Sequence, residues 1–257
     1  MKISVITATF NSAETIADCL NSFSKQNYLS KELIIVDGKS TDGTLDVLAT
    51  RHKEISEIIS ENDSGIYDAL NKGISLSKGD IVGFLHSDDE YASCDVLSDV
   101  ADVFKDECVC AVYGDLVYVD RFNSGKIIRK WVGEEFTSGL IKKGWMPAHP
   151  TLFVRREFYI KIGGFSLAYP ICADYDSIIK LFGLENFYAV YIPKLFIKMR
   201  IGGKSNNSPM GVVEKFRQDY LILRNAGYNK WKSLEITIRK RLIKIKQIVN
   251  RNNAFHF

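Results

Sequence analysis

The stretch Ile81-Val82-Gly83-Phe84-Leu85-His86-Ser87-Asp88-Asp89 constrains the fold more than any other part of this chain. It is a short apolar run that ends in two adjacent carboxylates. An apolar run without alternation reads as a strand buried on both faces. Such strands belong to helix-covered parallel sheets. Their carboxyl ends form the rim at which open α/β sheets bind ligands. Two hard oxygen donors at that rim suit a divalent cation, and the cation suits a phosphorylated ligand.

The segments around it fit the same plan. Residues 2–9 read as a buried first strand, 32–37 as a second, 55–60 as a weaker third and 81–89 as the fourth. Asn11 or Ser12 caps a first helix running to about Gln26, with Ile16, Cys19, Leu20 and Phe23 inward. A second helix follows the loop Gly38–Thr44 and ends near Arg51. A third opens after Asp63-Ser64-Gly65, with Ile66, Leu70 and Ile74 inward. Strand and helix alternating with short connections specify a parallel sheet with helices on both faces. After Ser93 the texture changes. A helix over 93–105 leads to a strand over 109–119, a turn at Phe122-Asn123-Ser124-Gly125 and a return strand over 126–132. A strand over 148–154, helices to Ile162 and from Asp174 to Leu184, and a strand region over 187–200 complete a mixed second half. Two helices, 210–226 and 231–250, form the tail.

Composition excludes several classes. At 257 residues and 46% hydrophobic, the chain is ordinary for a soluble globular protein. No window approaches the ~18 consecutive apolar residues of a membrane span. Met1-Lys2-Ile3-Ser4-Val5-Ile6 is too short and strand-like for a signal peptide. Five scattered cysteines fit reduced thiols in the cytosol, and Cys108 and Cys110 read as small core residues rather than zinc ligands. Charge is uneven. From Asn229 onward there are eight basic residues and one acid, Glu235, a net +7 that leaves −4 for the rest of a +3 chain. That split points to an anionic partner for the tail.

Asp37 ends the second strand and Asp88-Asp89 the fourth, so in a parallel sheet these acids converge on one edge. Successive strand residues face opposite ways. Asp89 is therefore read as the direct metal ligand, with Asp88 reaching a sugar hydroxyl or the metal's water shell. In the loop Asp37-Gly38-Lys39-Ser40-Thr41-Asp42-Gly43-Thr44 the glycines permit close backbone approach, Asp37 can accept from a base N–H or ribose hydroxyl, and Thr41 or Asp42 can cap the next helix.

Four motifs occur in order: Thr7-Ala8-Thr9-Phe10-Asn11, Ile35 to Thr44, Asp63 to Gly73, and Leu85-His86-Ser87-Asp88-Asp89-Glu90. Together they resemble the family 2 glycosyltransferases of the GT-A fold, over about residues 1–205. The resemblance implies a nucleotide-sugar donor, a Mn2+ or Mg2+ ion at the Asp-Asp step, and inversion at the anomeric carbon. It places Thr7, Thr9 and Asp37 around the nucleoside, and Asp68, Asn71 and Lys72 near the nucleotide. Many relatives carry a second acid where Gly38 stands here. The resemblance also assigns a base: Asp174 in Cys172-Ala173-Asp174-Tyr175-Asp176 matches the acid that deprotonates the acceptor, with Asp176 structural or acceptor-orienting. His149, between Pro147 and Pro150, is expected on the acceptor side, and Trp145 either stacks on a sugar ring or packs in the core. Gly202-Gly203-Lys204-Ser205 resembles a lid element, with Lys204 or Arg200 meeting phosphates.

The expected architecture is thus a GT-A catalytic domain over 1–208, divided into a nucleotide-binding half (1–92) and an acceptor half (93–208), with a basic helical extension over 209–257. In the tail, Trp231, Leu234, Ile238, Leu242, Ile245 and Ile248 form an apolar stripe among lysines and arginines. That pattern fits an interfacial helix on an anionic membrane surface through 229–252, or a helix packed on its own domain or on a second subunit. Nucleic acid is not expected as a partner, because no recognised module is present and the body is acidic. The resulting reading is a cytoplasmic, metal-dependent inverting transferase. It moves a hexose from a UDP-sugar to a saccharide or lipid-linked saccharide, peripheral to the inner face of the membrane. Its rivals are a sugar nucleotidyltransferase, which would need a Gly-rich loop after the first strand, and a catalytically inactive glycan-binding module.

Overall fold

The computed structural model describes residues 1–202 and 209–249. In chain order the elements are β1 (Ile3–Thr9), α1 (Ile16–Ser24), β2 (Lys31–Asp37), α2 (Thr44–Thr50), β3 (Glu57–Ser60), α3 (Ile66–Leu76), β4 (Ile81–Phe84), β5 (Asp89–Tyr91) and α4 (Val96–Val103). Then come β6 (Val109–Val119), β7 (Ile127–Trp131), α5 (Ser138–Ile141), β8 (Phe153–Arg155), α6 (Arg156–Ile162), α7 (Ala173–Phe182), β9 (Tyr188–Arg200), α8 (Pro209–Asn225) and α9 (Lys230–Val249).

The strands form one sheet in the order β3-β2-β1-β4-β8-β6-β9-β5, with β7 paired to β6. β1, β2, β3 and β4 are mutually parallel, as expected. β8 then joins β4 and β6 antiparallel, and β6 pairs parallel with β9. The period-2 rule is visible in the core. Ile3, Val5, Leu33, Ile35 and Ile81 face one apolar cluster, while Ile6, Ala8, Ile34, Val36 and Val82 face the other. Burying each such Leu or Ile contributes about 1.5–3 kcal/mol relative to exposure.

This topology fixes where a ligand can sit. From β1 the chain builds β2 and β3 on one side, then returns to lay β4 on the other. Strand order reverses between β1 and β4, and ligands of open α/β sheets bind in the crevice outside the carboxyl ends at such a point.

Three expectations need correction. The fourth strand does not run to Asp89. It stops at Phe84, and the turn His86–Asp89, closed by Asp89 N–H to the His86 carbonyl at 3.0 Å, separates it from β5 on the far edge of the sheet. The strand expected over 148–154 is a 3-10 turn, His149–Thr151, followed by β8, because Pro150 cannot donate to a ladder. Cys108 is exposed rather than a core residue, since it precedes β6, whereas Cys110 is buried; all five cysteines are free.

The tail packs on its own domain, and does so with an unexpected face. Ser233, Ile236 and Thr237 are fully buried, and α9 passes so close to Gly144 that a Cβ there would lie 2.6 Å from the Lys240 backbone nitrogen. Part of the apolar stripe is left outward: Trp231 is 82%, Ile238 44% and Leu242 51% exposed, Leu234 is half-buried, and the Ile245 and Ile248 side chains lie outside the described residues. No helix among the described residues is long and apolar enough to cross a membrane.

Candidate active site

The switch point opens into a cavity of about 1140 Å³. Thr9, Phe10 and Asn11 after β1, and His86, Ser87 and Asp88 after β4, line its floor. These two loops are tied together by the hydroxyls of Ser12 and Ser87, 2.9 Å apart. Asn11 adopts φ 51°, which Asn tolerates, and its Oδ1 accepts from the Thr41 N–H at 2.8 Å. Asp63 and Tyr67 come in from the start of α3 and the loop before it, Trp145 and His149 from the segment between α5 and β8, and Asp174 from α7.

The two acids of the turn sit the other way round from expectation. Asp88 lines the cavity, whereas Asp89 is fully buried at the start of β5 and off the wall. Neither Asp89 oxygen has a hydrogen-bond partner among the described residues. Burial raises its proton affinity well above the usual carboxylate range; Asp88 and Glu90 add to this and Arg200 opposes it. The physical reason is the turn: the chain reverses between the two residues, so Asp88 projects from its corner while Asp89 enters the β5–β9 ladder opposite Met199.

Asp174, in the first turn of α7, is on the wall as expected. Its Oδ1 accepts from the Tyr175 N–H at 2.8 Å, and the Tyr67 hydroxyl lies 3.2 Å from it and 3.0 Å from the Ile171 carbonyl. Burial and the Asp174 charge raise the Tyr67 pKa well above its ordinary value, so the phenol remains a donor. His149 is buried beneath the same wall, stacked on Phe84 at 5.1 Å and edge-on to Phe165 at 5.4 Å, with Nε2 unpartnered. Burial pushes its pKa down to about 4, against the field of Asp174. His86, 6.3 Å from His149 between ring centroids, is likewise held toward neutrality by burial, with Asp88 and Asp174 opposing.

Several expected residues lie elsewhere. Asp37 is fully buried on the face of Leu33 and Ile35, where it accepts from the Ser40 N–H at 2.9 Å and the Ser60 hydroxyl at 2.6 Å. It closes its own loop and does not reach the cavity wall. Thr7 is buried in β1, one pleat below Thr9, and also off the wall. Asp68 and Lys72 form a surface ion-pair group with Glu61, because their helical positions turn away from the sheet edge. Asp176 pairs with Lys180 at 2.7 Å on the far side of α7. Trp145 lines the cavity while packing on Tyr113, Phe136 and Phe182. Arg200 is on the wall but holds Asp18 and Glu90, each at 2.6 Å. Lys204 and most of the expected lid lie outside the described residues.

The structure also accounts for the missing second acid of the loop. A Cβ at Gly38 would stand 2.6 Å from Asp63 Oδ2. A carboxylate from a different loop thus occupies the space beside residue 38, and Asp63 lines the cavity.

Sequence reasoning overlooked Tyr67, His86 and the α9 residues Lys240 and Arg241, all on the wall. His86 was readable, as a polar residue closing a buried strand at the rim. Tyr67 was masked by its charged neighbour Asp68. As for a metal, Mg2+ and Mn2+ accept one or two protein carboxylates and complete their shell with water and ligand phosphates. Among the described residues, no group of three or more His, Cys, Asp or Glu side chains gathers as a protein-only cage. Asp88, with the unpartnered His86 Nδ1 beside it in the turn, fits a cation shared with a bound phosphate group.

A reversed strand order at β1/β4, with acids from distant segments around one crevice, fits the GT-A fold. Solved structures agree on the fold. S. aureus TarS 1–349 in complex with UDP-GlcNAc matches 99% of this chain and 73% of its own with a TM-score of 0.70 at 21% identity. The mannosyltransferase PcManGT from Pyrobaculum calidifontis, in complex with GDP-Man and Mn2+, matches 97% of this chain and 72% of its own with a TM-score of 0.67 at 19% identity. The chain belongs to glycosyl transferase family 2, whose sequence model matches residues 4–163. A PGL/p-HBAD biosynthesis glycosyltransferase of Mycobacterium bovis (strain BCG / Pasteur 1173P2) is 34% identical over 207 residues, 79% of this chain and 78% of the relative.

Proposed function

We propose that this glycosyltransferase is metal-dependent and inverting, and moves a hexose from a UDP-sugar to a saccharide or lipid-linked saccharide. The observation that carries this is the shared cavity of Asp88 and Asp174, one at the β4 edge and one at the start of α7. The nucleotide sugars and Mn2+ named for the two solved relatives support the donor and metal parts.

Asp88 would hold the cation, which when bound offsets negative charge on the departing diphosphate. The acceptor hydroxyl oxygen attacks the anomeric carbon from the face opposite the phosphate oxygen. The new C–O bond forms as the bond to diphosphate breaks, and the hydroxyl proton passes to Asp174. Tyr67 and the Tyr175 N–H fix Oδ1 of that carboxylate, so its proton-accepting oxygen is oriented before the acceptor arrives. Neutral His149, buried beneath the wall, supports it without adding charge near the base. The outward stripe of α9, flanked by exposed Lys230 and Arg239, supports docking on an anionic leaflet beside the cavity.

The test is a thermal-shift screen of nucleotide sugars with and without Mn2+, followed by NMR of the product's anomeric configuration. UDP-sugars should raise the Tm most, and only with metal, by mass action. Preference for GDP-sugars overturns the donor, and a product of retained configuration overturns the base mechanism.

A further inference from the structure

The cavity does not end at the sheet edge. Its outer wall is built by the α8–α9 hairpin, through Lys215, Asp219, Lys240, Arg241 and Ile243. Asp219 is 2% exposed, and its carboxylate is shared by the Lys240 ammonium at 2.6 Å and the Arg241 guanidinium at 3.3 Å. Two cations therefore face one acid. The other arginines of the wall are better matched in charge: Arg200 has Asp18 and Glu90, although its Nε also lacks an acceptor among the described residues, and Arg121 has Glu14 at 3.2 Å. The two-to-one group at Asp219 is thus a local positive excess on α9, in a cavity whose lining acids otherwise outnumber its bases.

Arg241 is also incompletely bonded. Its Nε is shielded from solvent and has no acceptor among the described residues, and its one ionic contact is the long one to Asp219. A shielded guanidinium N–H without a partner is costly, and a planar fork of donors matches a phosphate better than any neutral group. The wall is rigid at this point. The Lys240 ammonium lies 3.3 Å over the Tyr175 ring, and the α9 backbone rests against Gly144. Tyr175 directly follows Asp174, and the charges of Asp219, Lys240 and Asp174 all act on the buried Cys172 thiol, so the α9 group lies on the Asp174 side of the cavity.

We propose that Arg241, with Lys240, forms an anion subsite for a phosphate group carried by the acceptor, placed so that an acceptor hydroxyl meets Asp174 while its phosphate meets α9. The assignment of the acceptor side rests on the function proposed above. The subsite would select phosphate-bearing acceptors over neutral glycans, and Arg241 would be a specificity residue that takes no part in the chemistry.

The test uses the full chain saturated with UDP and Mg2+, so that the donor side is filled. Phenyl phosphate, dimethyl phosphate and uncharged phenyl glucoside are titrated by calorimetry into wild type, Arg241→Gln and Arg241→Lys. The subsite predicts that wild type binds a phosphate ester and not the glucoside. Arg241→Gln should weaken that binding at least tenfold, Arg241→Lys less, and UDP affinity should stay unchanged in both. The tighter of the two esters distinguishes a terminal monoester from a chain-internal diester. Equal ester binding by wild type and Arg241→Gln, or none by wild type, overturns the subsite. Failure of wild type to bind UDP overturns the donor reading instead, and the same ester comparison on the free protein then decides the subsite. Should Arg241→Gln not fold, Arg241→Lys with an unaltered melting temperature replaces it: weakened ester binding supports the subsite, and binding equal to wild type overturns it.

Discussion

Replacing Gly73 by alanine sets two physical terms of opposite sign against each other. Gly73 lies in the interior of α3, where alanine is favoured by about 1 kcal/mol on helix propensity alone. The same residue is the contact by which α3 rests on β1. A Cβ there would stand 2.3 Å from Ile6 Cγ2 and 3.2 Å from Ile6 Cγ1. Ile6 is wholly buried in β1, flanked by β2 and β4, and its branched side chain has little rotamer freedom. Relief therefore requires the helix to lift by about an ångström or more, and overpacking of this kind costs about 1–3 kcal/mol, with the backbone-bound, immovable neighbour here favouring the upper half. Packing wins by about 1–2 kcal/mol, which for a chain of 257 residues lowers the Tm by about 2–8 °C. Thermal and urea unfolding measure it. A double-mutant cycle with Ile6→Ala, which removes the offending methyl, should show coupling of about 1 kcal/mol or more. The lifted helix also displaces Tyr67, so turnover should fall with donor affinity little changed. A Gly73→Ala protein more stable than wild type, with no coupling to Ile6, refutes the packing argument.

Three more outcomes follow from the same structure. His149 has its pKa pushed down to about 4 by burial, below an unfolded value of 6.5. Between those values the unfolded chain takes up a proton that the native protein refuses, so stability is present above about pH 6.5 and lost as pH falls toward 4, by about 3 kcal/mol; His149→Gln should remove that slope from the difference with wild type, and an unchanged slope contradicts it. Asp89→Asn should leave Mn2+-dependent donor binding within about threefold of wild type and stability within about 1 kcal/mol or better, because a buried, unpartnered carboxylate is replaced by a neutral isostere; loss of metal binding would return Asp89 to the ligand role. Trp231→Ala with Leu242→Ala should weaken cosedimentation with vesicles containing anionic lipid by about tenfold, since both residues are exposed on one stripe of α9; wild type that ignores such vesicles rules out membrane docking.

What the sequence could reveal differs from element to element. β6 begins and ends where the mostly apolar run over 109–119 does, and the Gly114-Asp115 break within it appears as a shift in register against β9 rather than as an end of the strand. The four alternations before Ser93 were legible from such apolar runs, and they alone predict a switch point and a crevice. The direction of single side chains was not legible. Asp88 and Asp89 exchange places because of a turn that the apolar pattern does not mark. Asp37 is consumed by Ser40 and Ser60, partners that appear only once the loop closes. On α9 the apolar stripe left membrane docking and packing on the domain both open; the structure buries Ser233, Ile236 and Thr237 and leaves Trp231 exposed. Hydrophobicity ranks faces, but it does not mark where the Gly144 loop meets the α9 backbone. The position of Asp174 on the cavity wall was indicated by resemblance, whereas its contact with Tyr67 needed three dimensions.

The proposed division of labour between Asp88 and Asp174 is most directly tested by comparing Asp174→Asn with Asp88→Asn in paired assays of UDP-sugar binding by calorimetry with Mn2+ and of sugar transfer. Asp174→Asn should bind donor as wild type does while transfer falls by about 10²–10⁴, the range for loss of a general base, and Asp88→Asn should lose Mn2+-dependent donor binding itself. Near-normal transfer by Asp174→Asn, or undiminished metal-dependent binding by Asp88→Asn, contradicts the account.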